Sequence, residues 1–267
     1  MHTTASDGVL TPSALVQLVR ARKIDIIAIT DHDTTGAFIE AQAAAGEMPI
    51  IIPAIELSAE YYGADVDILG YYIDPANTIF QNRLEQSRRN RITRAQAMVE
   101  KLADLGVPVR FERVLELANG GSVCRPHIAR ALVEAGHVEG LRDAFDRYLG
   151  NGAPAYLPGD KLSPQAAIDL IHTAGGAAVL AHPALVPDYA ALIEMLIPLG
   201  LDGVEVAHPK NPNPVRANLR GLAKKHDLIM TGGSDFHRPE ADSLGSVTPP
   251  AGCVAQLRAR AEVYRAN

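Results

Sequence analysis

Six short apolar runs punctuate the chain: IDIIAIT (24–30), IIIPAIEL (50–57), VDILGYY (66–72), AAVLAHP (177–183), GVEVAHP (203–209) and LIMTGGSD (228–235). Most are near-continuous rather than alternating, which is the pattern of strands covered by helices. Helical spacing of apolar positions separates most of them, over 12–22, 36–46, 164–174, 188–199 and 213–226, and a last helix is predicted over 253–265. Thr11-Pro12 and Ser163-Pro164 read as N-cap residues followed by proline in the first turn. This alternation predicts an α/β fold with a mainly parallel sheet.

Two departures refine the prediction. Between 77 and 162 no strand is expected. A long charged helix (77–104) leads into shorter ones near 110–118, 126–136 and 139–148. The chain therefore divides into a first barrel part (1–76), a helical insertion (77–162) and a second barrel part (163–267). The second and third runs are joined only by SAEYYGAD, too short for a parallel crossover, so they are predicted to form an antiparallel hairpin. Glu56 and Asp67 would then lie at one edge of the sheet.

Composition narrows the class. With 267 residues and 47% apolar content the chain can bury a large core, although it has no tryptophan. The net charge of −6 argues against a protein that coats duplex nucleic acid. It leaves open a small phosphorylated substrate, because a metal or a single arginine can dominate a pocket. Two cysteines in unrelated surroundings make neither a disulfide framework nor a zinc finger. With no membrane-spanning run or signal segment evident, a cytoplasmic enzyme without membrane association or an obligate protein partner is expected.

The chemistry lies at the ends of the runs. Asp31-His32 follows the first, Glu56 ends the second, Asp67 begins the third, His182 closes the fourth, and Asp235 and His237 close the sixth. His2 and Asp7 precede the first helix and belong at the same edge. In α/β folds the C-terminal edge of the strands is where sites are built. Any one of these residues alone is an ordinary turn or cap residue; the case rests on their coincidence across separate elements. Imidazoles and carboxylates without thiolates suit Mn, Zn or Fe, with Mg possible. Four His and four carboxylates are enough for two or three divalent metal ions, whose default chemistry is phosphate ester hydrolysis. Asp31 is read as an orienting or capping residue rather than a ligand. His208 is left open between a ligand and part of a proline-fixed loop, Glu205 is left out, and His137, His172 and His226 are read as surface or packing residues.

The segments HTTASDG, ITDHDTTG, AIELS, LAHP and GGSDFH resemble the PHP (polymerase and histidinol phosphatase) superfamily across essentially the whole chain. RPHIARALVEAG and RYLGNGAPAYLP resemble the 3′,5′-nucleotide bisphosphate phosphatases and 5′–3′ exoribonucleases within it. The resemblance implies a distorted (β/α)7 barrel with an inserted helical cap, and a phosphoesterase that acts on a nucleotide or short oligonucleotide through a metal-bridging hydroxide. It implies one metal on His2, Glu56 and Asp235, a second on Glu56, Asp67 and His182, and a third on Asp7, His32 and His237. Arg125 and His127 are implied to face substrate, and Tyr156 more weakly. Asp67 stands where the family commonly has His, which shifts metal preference toward Mn or Mg. Family members open with a strand ending D-L-H-x-H-T, of which this sequence holds only the last H-T. The barrel is therefore expected to lack its first strand and first ligand, with His2 loosely held and activity impaired. A metal- or nucleotide-binding PHP module without turnover and a histidinol-phosphatase-like enzyme are the alternatives.

Overall fold

The computed structural model describes residues 1–159, 161–241 and 244–266. All six apolar runs form strands: β1 (Ile26–Ile29), β2 (Ile50–Tyr61), β3 (Ala64–Tyr71), β4 (Ala177–Leu180), β5 (Gly203–Ala207) and β6 (Ile229–Gly232). They make one sheet in chain order. β1 and β2 are parallel, as are β4, β5 and β6, while β3 runs antiparallel to both of its neighbours. The ten α-helices are α1 (Pro12–Ala21), α2 (Phe38–Ala45), α3 (Thr78–Asp104), α4 (Phe111–Ala118), α5 (Arg125–Glu134), α6 (Leu141–Ala144), α7 (Pro164–Thr173), α8 (Tyr189–Leu196), α9 (Asn213–Lys225) and α10 (Cys253–Arg265), counted among the described residues. A π-helical turn, Phe145–Leu149, continues α6.

The predicted caps set two of these helices. Thr11 Oγ1 accepts from the Ala14 N–H and Ser163 Oγ from the Ala166 N–H, satisfying amides that the first helical turn leaves free. α1 then buries Leu15, Val16 and Val19, and α7 buries Ala167, Ile168 and Ile171. Each fully buried aliphatic side chain of Val or Leu size contributes roughly 1.5–3 kcal/mol.

The hairpin prediction holds, but its geometry is corrected. Glu56 does not end β2. The strand runs on to Tyr61, and SAEYYGAD is mostly paired backbone closed by Tyr62-Gly63. Both turn residues have positive φ, 48° and 80°, the conformation of the two-residue turn that matches strand twist. Ser58, rather than Glu56, lies opposite Asp67. The extended ribbon projects past the sheet edge and bridges Leu162 through Ala59.

The sheet is curled. β1 and β6 are its outer strands, yet Met1 O accepts from Thr30 N–H just after β1, and His2 N–H donates to Phe236 O just after β6, both at 2.8 Å. Among the described residues β1 and β6 do not pair, and an apolar cavity of about 190 Å³ lined by Ile26, Tyr71 and Leu257 lies between them. Residues of α3 to α6 gather a hydrophobic cluster of their own, centred on Met98, Leu102, Ile128 and Leu132 and distinct from the cluster around β2, β3 and α7.

Candidate metal centre

The end of β1 and the middle of β2 begin the site. His32 bridges Glu56 in parallel register, so imidazole and carboxylate lie side by side. The two oxygens of Glu56 diverge: Oε2 is 3.0 Å from His2 Nε2, and Oε1 is 3.1 Å from His182 Nε2. His182 Nε2 is also 3.6 Å from Asp67 Oδ2. On the other side, Asp235 Oδ1 stands 3.3 Å from His2 Nε2, and Asp7 Oδ1 stands 3.3 Å from His237 Nε2. The His2 and His237 rings stack with centroids 4.0 Å apart. Donor atoms of His2, Asp7, His32 and His237 lie within 4.8 Å of one another, as do those of His2, Glu56 and Asp235, and those of His32, Glu56 and Asp67. All eight residues singled out as candidate ligands are thus brought together.

The expectation that His2 is loosely held is corrected. His2 is 1% exposed. Besides its bond to Phe236, the backbone is fixed by Thr3, whose N–H and Oγ1 both donate to Asp31 at 2.7 Å, and Ser6 Oγ donates to Asp31 at 2.6 Å. Asp31 therefore orients, as its place beside His32 suggested. His182 and Asp235 have positive φ, 27° and 48°, a conformation uncommon outside glycine and one that clusters at functional sites.

Opposed charges are crowded together in the buried cluster. Burial favours a neutral His2 ring, but hydrogen bonds to Asp235 and Glu56 push its pKa up to about 10. His182 is likewise pushed up to about 9, against burial, by Glu56 and Asp67. Burial also opposes the charges of Asp7, Glu56 and Asp235, yet the surrounding imidazoles hold all three well below the usual carboxylate range. Asp67 goes the other way, raised by burial and by the like charge of Glu56. A divalent cation between the two carboxylates would offset that repulsion.

A cavity of about 200 Å³ opens from the centre toward α3 and α5. Arg125 lines it, but its guanidinium is held by Asp65 Oδ2 (3.1 Å) and Asn151 Oδ1 (2.9 Å). Tyr156 lies beneath the Arg94 and Arg125 guanidiniums, 5.4 and 5.5 Å from them. His127 is not brought to the cavity. It is 1% exposed, and its Nδ1 accepts the Cys124 N–H at 3.0 Å, closing the first turn of α5. Sequence reasoning missed Arg91, Arg94 and Lys161, which line the cavity. The signal was Ser87, Arg91 and Arg94 at helical spacing, a polar stripe within what reads as a solvated charge run. It also missed Glu205, which accepts the His182 N–H at 2.9 Å. His137, His172 and His226 hydrogen-bond or pair elsewhere, with Pro108, Asp202 and Glu194.

Comparison with known proteins places this geometry. The chain is 38% identical over 245 residues to the 5′–3′ exoribonuclease Rnm of Salmonella typhimurium, covering 89% of this chain and 84% of the relative. It is 35% identical over 244 residues to the 3′,5′-nucleoside bisphosphate phosphatase of Chromobacterium violaceum, covering 89% and 86%. A crystal structure of a candidate metal-dependent phosphoesterase from Bifidobacterium adolescentis superposes with a TM-score of 0.90 at 33% identity, covering 97% of this chain and 94% of that one. The chain belongs to the PHP metal-dependent phosphoesterases. No family model matches it. The donor set fits divalent metal ions: His182 Nε2 faces carboxylate oxygens of Glu56 and Asp67, and His32 Nδ1 is a buried ring nitrogen without a hydrogen-bond partner. No helix among the described residues is long and apolar enough to cross a membrane.

Proposed function

We propose that this PHP phosphoesterase hydrolyses a phosphate ester of a nucleotide or short oligonucleotide in the cytoplasm, with two or three divalent ions of the Mn, Zn, Fe or Mg class. The carrying observation is Glu56, whose two oxygens face His2 on one side and His182 on the other at 3.0 and 3.1 Å. That is the disposition of a bridging carboxylate. His2, Glu56 and Asp235 would hold one ion, Glu56, Asp67 and His182 a second, and Asp7, His32 and His237 a third. When bound, such ions supply Lewis-acid polarisation of a phosphoryl group and an activated water.

The chain's own residues bind and orient. Helices α3 to α6, within the segment 77–162, form a cap over the centre, inserted between the two parts of a distorted α/β barrel. The cap places Arg91, Arg94 and Arg125 in the cavity beside Asp7, His32 and Asp67. Guanidinium groups recognise phosphate oxygens through paired N–H donors. The names of the relatives, an exoribonuclease and a bisphosphate phosphatase, agree with a nucleotide in this cleft.

The test is to assay the purified chain with a nucleoside 3′,5′-bisphosphate and a 5′-phosphorylated ribo-oligonucleotide under Mn, Zn and Mg in turn. Metal-dependent release of phosphate or mononucleotide is expected. Bound metal with no release from either substrate would instead favour a binding module.

A further inference from the structure

The loop between β5 and α9 carries His208, which no ligand set above uses. It is rigidly built. The Asn211 side-chain amide donates to the carbonyls of Glu205 and Val206 at 3.0 and 3.2 Å. Arg216 donates to the carbonyls of His208 and Asn211 at 2.6 and 2.7 Å. The His208 ring is 1% exposed, so its orientation is set by the loop rather than by solvent.

The hydrogen bonds also fix its tautomer. His208 Nδ1 accepts the Lys210 backbone N–H at 3.2 Å. A nitrogen that accepts carries no proton, so the neutral ring bears its hydrogen on Nε2. That tautomer has no lone pair on Nε2 to offer a cation. It has a donor instead, and this donor is buried with no hydrogen-bond partner, a costly arrangement unless an acceptor is near. The facing acceptor is Asp235 Oδ2, 3.7 Å away, and Lys210 Nζ stands 3.6 Å from the same oxygen. The other oxygen of that carboxylate, Oδ1, faces His2 at 3.3 Å and His237 at 3.5 Å. Asp235 is therefore divided, one oxygen toward the cluster and one toward the loop.

We propose that His208 is a positioning residue. At 3.7 Å its Nε2–H is aimed at Oδ2 of Asp235 without yet bonding it; with Lys210 Nζ beside it, it closes on that oxygen when Oδ1 is drawn to a cation shared with His2 and Glu56. His208 acts through Asp235, and the inference rests on the metal centre proposed above. Removing a hydrogen-bond partner of a ligating group commonly lowers metal affinity by about 10–100-fold.

The experiment titrates Mn2+ into the full chain, with free ion followed by electron paramagnetic resonance, for wild type, H208L, H208Q and K210M. Circular dichroism of the metal-free proteins checks folding. H208L removes the donor and is expected to weaken one class of site by about 10–100-fold. H208Q keeps an N–H donor and is expected to restore most of that affinity, a rescue that a purely structural role would not produce. K210M changes a residue 54% exposed, so it tests the same oxygen with little risk to folding, and a several-fold weakening is expected. A folded H208L with wild-type affinity overturns the proposal, as does H208Q binding no better than H208L. Wild-type affinity in K210M overturns it even if H208L does not fold. If the wild-type chain itself binds no Mn2+, the metal centre fails first, an outcome distinct from the others.

Discussion

Replacing Arg91 by Met should cost the protein about 3 kcal/mol, the lower end of what removing one partner of a buried ion pair costs. Arg91 leaves α3 and reaches across the cleft. Its Nε donates to Asp33 Oδ2 at 2.7 Å, and its Nη2 to Ser58 Oγ at 2.9 Å. The side chains of Arg91 and Asp33 are 16% and 6% exposed. In R91M the buried Asp33 carboxylate loses its cation and retains the Ser58 N–H at 3.1 Å. The lower end applies because the pair lines a cavity that water can enter. The assay is urea denaturation at neutral pH, comparing R91M, D33N and the double variant. Against a total stability of order 5–15 kcal/mol, such a loss moves the midpoint clearly. The double variant should be more stable than the sum of the single losses predicts, by about 2 kcal/mol, within the range of coupling between contacting residues. An R91M loss under about 1 kcal/mol, as for an exposed pair, or strict additivity, would refute this account.

Three further predictions follow from the same physics. Asp202 is 1% exposed and accepts from His172, the Ala178 N–H, Arg260 and Tyr264 at 2.8–2.9 Å; although burial opposes its charge, these donors lower its pKa. A depressed carboxyl contributes stability above its unfolded pKa that is lost as pH falls through the folded one, so melting temperature should drop on acidification below about pH 4. D202N should be less stable by about 1.5–3 kcal/mol at neutral pH and should lack that part of the acid dependence. Because His2 and His182 hold protons up to about 10 and about 9, loading with Mn2+ at pH 7.5 should release about two protons; affinity should rise as pH rises toward those values, and equal calorimetric enthalpies in phosphate and Tris would contradict it. A Cβ on Gly203 would lie 2.6 Å from Ile229 O in the neighbouring strand, so G203V should destabilise the β5–β6 ladder by about 1–3 kcal/mol, read by thermal melting.

Much of the architecture was legible because strands covered by helices need continuous apolar runs. IDIIAIT, AAVLAHP and GVEVAHP announced themselves, and their ends carried the His and carboxylate residues to one edge. The far end of β2 was not legible. Ser58 to Tyr61 contains no apolar run, and its pairing comes from the positive-φ turn at Tyr62-Gly63. The family resemblance implied that His127 faces substrate, yet its ring is buried. In the third helical position a side chain can reach back to the free amide at the cap, and that reach turned this ring inward. Arg91 and Arg94 were hidden by their company: QSRRNRITRAQ reads as solvated charge, and the partner of Arg91 is 58 residues away in sequence. Contacts of that span have no local signature.

The projecting β2–β3 ribbon has a mechanical consequence. Near its tip, Asp65 pairs with both Lys161 and Arg125, tying the helical segment down on one flank, while Arg91 and Asp33 tie it on the other. A body fastened along two separate lines has no free hinge axis. The opening beside the candidate metal centre therefore behaves as a caliper whose gauge is set by ion pairs on both of its flanks.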